Sequence, residues 1–119
     1  MASIQDLIAV SNVYLKQMAD GKRCIGYEQL GYDQSGAVGF ASIPPGASSA
    51  EITFEDAGAA DSTLVCRYTI DGVTTPTTSL GTPAGKADTV EISHPDNIIN
   101  FQVISIDAIT QKLNVIYYE

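Results

Sequence analysis

Tryptophan is absent from this 119-residue chain, histidine occurs once and cysteine twice. The stock of side chains for nucleophilic, metal or redox chemistry is therefore thin. Basic residues are few as well: six Lys and Arg stand against fourteen Asp and Glu, a formal charge of -8. Such a field repels phosphate backbones and anionic lipid, so neither nucleic acid nor a membrane surface is an expected partner. Long hydrophobic runs are missing too. The apolar stretches are a few residues each, against the ~20 that span a bilayer, and the opening MASIQDLIAV has no basic segment before an apolar run. The expectation is a protein without a membrane segment, made in the cytoplasm. Cys24 and Cys66 form neither a disulfide framework nor a CxxC or CxxH zinc spacing. Two reduced, partly buried thiols are expected in a reducing compartment, with a bridge between them as the alternative.

What is present is apolar content: 45% hydrophobic residues and only 17% charged ones, the balance of a folded globule. The length suits one domain, residues 1–119. Residues 3–11 carry Ile4, Leu7 and Ile8 at helical spacing behind Ser3, which predicts a short N-terminal helix. Two β-prone runs at 12–18 and 23–29 flank Asp20-Gly21 and read as a hairpin. A Gly-rich loop then leads to a short run FASI, ended by Pro44-Pro45-Gly46.

AEITFE alternates, with Ala50, Ile52 and Phe54 on one face and Glu51, Thr53 and Glu55 on the other. STLVCRYTI places Leu64, Cys66, Tyr68 and Ile70 inward and Val65, Arg67 and Thr69 outward. The loop VTTPTTSLGTPAGKA is excluded as a central strand by Pro76 and Pro83, and DTVEIS, IINFQVISI and KLNVIYY supply three further strands. With no long helical stretch for parallel crossovers, the expected fold is all-β, an antiparallel β-sandwich of Ig-like or jelly-roll-like type.

Chemistry is hard to assemble from these residues. Ser93, His94 and Asp96 spell a triad, but neighbours on one turn do not set a nucleophile against a base that is itself oriented by a buried acid. His94 is expected as an exposed turn residue. Asp56, Asp61, Asp71 and Asp88 are loop carboxylates that match no calcium-loop spacing, so solvated charge is expected there. No GxSxG, HExxH or Walker pattern occurs. Neither catalytic activity nor a cofactor or metal is expected.

The last two strands carry apolar residues on both faces. Phe101 and Val103 go with Leu113, Val115 and Tyr117, while Ile104, Ile106, Ile116 and Tyr118 lie on the other side, where a solvated sheet would be polar. Either the segment with Ile4, Leu7 and Ile8 covers that second face or another copy of the chain does, which makes these four residues a candidate interface.

From Arg67 onward, RYTIDGVTTPTTSLGTPAGKADTVEIS resembles the RYxxDGxxPTxxxGxPxxxGxxxE signature of a family of small tailed-phage virion proteins. Upstream IPPGASSAEITFE and downstream NIINFQVIS and LNVIYY are similar to the neighbouring strands of that family, so the likeness runs from Ile43 to the end. The spacing departs by one residue, with Val73, Thr74 and Thr75 between Asp71-Gly72 and Pro76. The YTxDGxxPT core also resembles the β-sandwich appendage of chitobiase-like and other carbohydrate-active enzymes. The resemblance implies a structural virion component, a capsid decoration or head-tail associated subunit. It would assemble in the host bacterial cytoplasm, contact capsid or tail subunits, and form a homo-oligomer. Physically, Asp71, Gly72 and Pro76 are turn residues, and Arg67 is expected to face Glu51 or Glu55 in a surface salt bridge. The alternative function is a glycan-binding or host-adhesion module presenting Tyr27, Tyr32 and Tyr118.

Overall fold

A computed structural model describes residues 22–55 and 64–119. Among them run β1 (Cys24–Tyr32), β2 (Ser49–Phe54), β3 (Leu64–Thr69), β4 (Thr82–Gly85), β5 (Thr89–Ser93), helix α1 (Pro95–Asn100), β6 (Gln102–Ser105) and β7 (Gln111–Tyr118). The expected helix at 3–11 and the strand at 12–18 lie outside the described residues. No helix among the described residues is long and apolar enough to cross a membrane.

The strands make two antiparallel sheets, ordered β1-β7-β2-β5 and β4-β3-β6. Alternation explains the first. In β7, Gln111, Leu113, Val115 and Tyr117 are buried while Asn114, Ile116 and Tyr118 are half-buried, and Ala50, Ile52 and Phe54 of β2 are fully buried beside them. Pairing sets Val115 opposite both Glu28 and Ile52, and Leu113 opposite both Leu30 and Phe54. The second sheet adds Val65, Cys66, Ala84 and Val103 to the same cluster of buried residues. Each fully buried Val, Leu, Ile or Phe of this cluster contributes about 1.5–3 kcal/mol by leaving water. Rings connect the two sheets: Phe54 faces Tyr68 at 6.2 Å, Tyr68 meets Phe101 at 5.7 Å, Phe101 stacks on Phe40 at 4.3 Å, and Phe40 meets the edge of Tyr117 at 5.7 Å.

Several local readings change in the folded chain. In β3 the register slips between Leu64 and Cys66, so Val65 and Cys66 are both fully buried and Leu64 turns out to water. A bulge adds a residue to one strand and shifts the alternation beyond it, which period-two reading cannot anticipate. FASI forms no strand. The chain instead touches the second sheet through one bridge, Val38 to Val103, and Phe40 serves as a stacking ring. Thr82–Gly85 is a strand despite Pro83, because β4 is the edge of its sheet, where a missing amide donor is tolerated.

The run read as one strand from Ile98 begins instead as α1. His94 caps it, with Nδ1 accepting from the Asp96 amide at 3.1 Å, Pro95 opens the first turn and Asp96 adds a favourable acid there. Gly72, at φ 73°, lies so close to the Asn100 side chain that an added Cβ would stand 2.8 Å from it, which joins the α1 end to the turn after β3.

The long connection between β1 and β2 is held from below. Glu28, on the inward side of β1, accepts from the Ala41 amide at 2.7 Å, the Ser42 amide at 3.0 Å and the Tyr117 hydroxyl at 2.5 Å. Burial, and then the bond to Glu28, push the Tyr117 hydroxyl well above the usual tyrosine value, so it remains a donor. Gly26 leaves room for Pro44, whose Cγ would stand 2.8 Å from a Cβ at that position.

Helix α1 gives a direct check. Ile98 is fully buried and Ile99 is 66% exposed. Ile98→Ala should cost about 2–5 kcal/mol in denaturant unfolding and Ile99→Ala less than about 0.5 kcal/mol. A continuous strand in phase with the inward Phe101 and Val103 would bury Ile99 and turn Ile98 outward, the reverse of this order.

Candidate functional site

The segment that carries the resemblance folds into a self-braced loop between β3 and β4. Asp71 Oδ1 accepts from the amides of Val73 at 3.0 Å and Thr74 at 2.8 Å, and Oδ2 accepts from the Thr74 hydroxyl at 2.6 Å. Gly72 supplies the positive φ of the turn, and the Thr69 hydroxyl donates to the Thr74 carbonyl at 2.7 Å. Pro76 is fully buried. Thr77 closes a second turn, its hydroxyl oxygen accepting from the amides of Ser79 at 3.3 Å and Leu80 at 2.9 Å.

Arg67 does not reach Glu51 or Glu55. Its guanidinium donates to the carbonyls of Thr78 at 3.2 Å and Gly81 at 2.9 Å. Glu51 belongs to the other sheet, so the expected pair is separated by the fold and the arginine satisfies loop carbonyls that no ladder reaches. Asp71, Gly72 and Pro76 thus sit together in one structural turn, while the apolar Val73 and Leu80 are 87% and 51% exposed on the same loop.

The four residues of the candidate interface are not gathered on one face. β6 and β7, though consecutive, belong to different sheets, so Ile104 and Ile106 lie with the three-stranded sheet and Ile116 and Tyr118 with the four-stranded one. Ile104 is 8% exposed, and Ile106, Ile116 and Tyr118 are half-buried. Among the described residues the large apolar side chains that stand furthest into water are others, Tyr27, Val73, Leu80 and Ile99, with Leu64 and Ile109 less exposed. Of the three tyrosines considered for sugar contact, Tyr32 is buried, with its hydroxyl beside the Cys66 thiol. Tyr27 is 75% exposed and shares with Tyr118 the outer face of the four-stranded sheet. Nearby on that face the Gln29 amide donates to Asn114 Oδ1 at 3.2 Å.

His94 is exposed, as is Asp96, whose Oδ2 lies 3.8 Å from Nδ1. Its Nδ1 is occupied by the helix amide, so the imidazole works as a cap. Asp71 follows the end of β3 while Asp88 follows β4, where its Oδ2 accepts from the Gly85 amide at 2.7 Å; the register of β3 with β4 puts the two at opposite ends of the strand pair. Asp56 and Asp61 lie outside the described residues. Among the described residues no three of His, Cys, Asp and Glu come together to hold a metal ion. Both cysteines are free thiols. Cys24 is exposed on β1, and burial pushes the Cys66 thiol up to about 12.

Sequence reading missed Glu28 and the Arg67 clamp. A signal for Glu28 exists in Gly26, Glu28, Leu30 and Tyr32, where one acid holds the inward phase of an alternating strand and so must find donors. Compared with known proteins, the chain matches no family model, no curated protein and no solved structure.

Two measurements check this geometry. The Thr74 hydroxyl first, then the Thr74 and Val73 amides, hold the Asp71 carboxyl down from 3.8 to about 2. A lowered folded value means the turn is favoured above the unfolded value near 4 and loses that support as pH falls towards 2. The Thr74 amide resonance should titrate near pH 2, and Asp71→Ala should abolish the titration and speed amide exchange at Val73 and Thr74. A maleimide should modify Cys24 alone in the native protein and Cys66 only after unfolding, read by intact mass.

Proposed function

We propose that the chain is a structural protein of a tailed-phage virion, a capsid decoration or head-tail associated subunit that acts by contact with other virion proteins. In this reading its two sheets stack as an antiparallel sandwich of Ig-like or jelly-roll-like type, and four strands against three is the count of the smaller immunoglobulin-type domains. It assembles in the host cytoplasm and occupies the particle as a homo-oligomer beside capsid or tail subunits. The likeness of RYTIDGVTTPTTSLG and LNVIYY to virion proteins motivates the proposal.

One observation carries the contact role. The polar groups of the resembling motif are consumed in bracing their own loop, through Arg67, Thr69, Asp71 and Thr77, while Val73 and Leu80 are held outward on it. A rigid loop loses little conformational freedom on binding, so apolar side chains fixed on it suit a protein interface. Ile99, exposed on α1 beside Pro44, Pro45 and Pro95, adds a second apolar spot. The excess of acid suits an outer surface away from packaged DNA.

Mass spectrometry of gradient-purified particles tests the reading. The chain should be present at a fixed copy number per capsid protein. A Val73→Ser, Leu80→Ser double variant should keep its Tm, because both residues are exposed, yet be lost from the particles. A chain absent from particles, or a double variant incorporated as well as the parent, overturns the proposal.

A further inference from the structure

Unlike the loop after β3, the outer face of the four-stranded sheet holds polar groups that remain available. The Gln29 to Asn114 bond uses one donor and one acceptor of the two amides. Whichever way the two groups are turned, that bond leaves one carbonyl oxygen and one NH2 unused.

Cross-strand register arranges the surroundings in rows. Tyr27 stands opposite Ile116, which stands opposite Glu51, and in the next row on the same face Gln29, Asn114 and Thr53 stand side by side. Strands lie about 4.8 Å apart and successive same-face residues about 7 Å apart, so an area the size of one or two pyranose rings brings together a phenol ring, an amide pair and a hydroxyl. Tyr27, Gln29, Thr53, Asn114 and Ile116 border a shallow depression of about 320 Å³. That is at the lower end of the ~300–1,000 Å³ of small-ligand sites.

This set has a chemical match. A sugar ring has an apolar C–H face that packs on an aromatic ring and a rim of hydroxyls that both donate and accept, as paired amides do. Charge narrows the class. Glu51 and Glu91 stand side by side on the same face, with Lys22 bonded to Glu91, in a chain of formal charge -8, so an anionic sugar is repelled.

We infer that the outer face of the four-stranded sheet binds a neutral carbohydrate chain, with one pyranose ring stacked on Tyr27 and its hydroxyls bonded to the Gln29–Asn114 amide pair and to Thr53. This does not depend on the virion reading, since a protein found on no particle would retain the same surface.

The test is a heteronuclear NMR titration of the isotope-labelled full chain with maltotriose, cellotriose, triacetylchitotriose, mannotriose and galactotriose, each to about 20 mM, with sialyllactose as the anionic comparison. At least one neutral trisaccharide should shift the Gln29 and Asn114 side-chain amide signals, with a Kd of about 0.1–5 mM. Tyr27→Ala should weaken that binding about tenfold or more, and Tyr27→Phe should keep it within about threefold, because stacking uses the ring and not the hydroxyl. Both variants should keep the parent Tm, since Tyr27 is largely exposed. Silence from all five neutral sugars, shifts that survive Tyr27→Ala, or tighter binding of sialyllactose overturns the inference.

Discussion

A strand that is paired along both edges and buried beneath one face leaves no backbone group to seek water there, and in this protein that strand is β7. It runs between β1 and β2, and its inward Leu113, Val115 and Tyr117 are almost wholly excluded from solvent. The four-stranded sheet is therefore incomplete until β7 is in place. The rest of the core answers to it: Phe40 packs against Tyr117, Phe101 stacks on Phe40, and Tyr68 links that group to Phe54. Glu28 depends on the same strand, because the Tyr117 hydroxyl is one of its three donors.

Polar groups divide into two populations with different consequences. Arg67, Asp71, Thr77 and Glu28 satisfy backbone groups of loops that no ladder reaches, which holds those loops in one shape. Gln29, Asn114 and Thr53 lie side by side on the outer face of three hydrogen-bonded strands, where their side chains are not needed to satisfy a loop and keep capacity to spare. The first population suits a scaffold that presents apolar contacts, and the second suits recognition of a hydroxylated ligand.

How far the sequence could be read depended on what each residue reports. Ala50, Ile52 and Phe54, and likewise Leu113, Val115 and Tyr117, alternate as half-buried strands do, and they are core residues in the folded protein. Asp71 and Gly72 announce their turn because each has a local mechanism, an accepting carboxylate and a positive φ. Val65 was misread because a bulge shifts phase without a local marker. Residues 95–100 read locally as a turn followed by a β run from Ile98, and the folded chain makes them a short helix capped by His94 and opened by Pro95 and Asp96. Arg67 has no local indication of partners that lie eleven and fourteen residues further on.

The β-rich character, the inward residues of β2 and β7 and a turn at Asp71-Gly72 follow from alternation and short-range chemistry in the sequence, while the bracing of that turn by both Asp71 carboxylate oxygens belongs to the folded loop. Long-range pairing, by contrast, parts β6 and β7 into different sheets and so separates Ile104 from Ile116, sets Arg67 of β3 and Glu51 of β2 in different sheets, and through β1–β7 pairing brings Tyr27 to the row next to Gln29 and Asn114. The physical reason is that alternation tells which side of a strand meets water, whereas the neighbour that completes its hydrogen bonds is chosen by contacts between residues far apart in the chain.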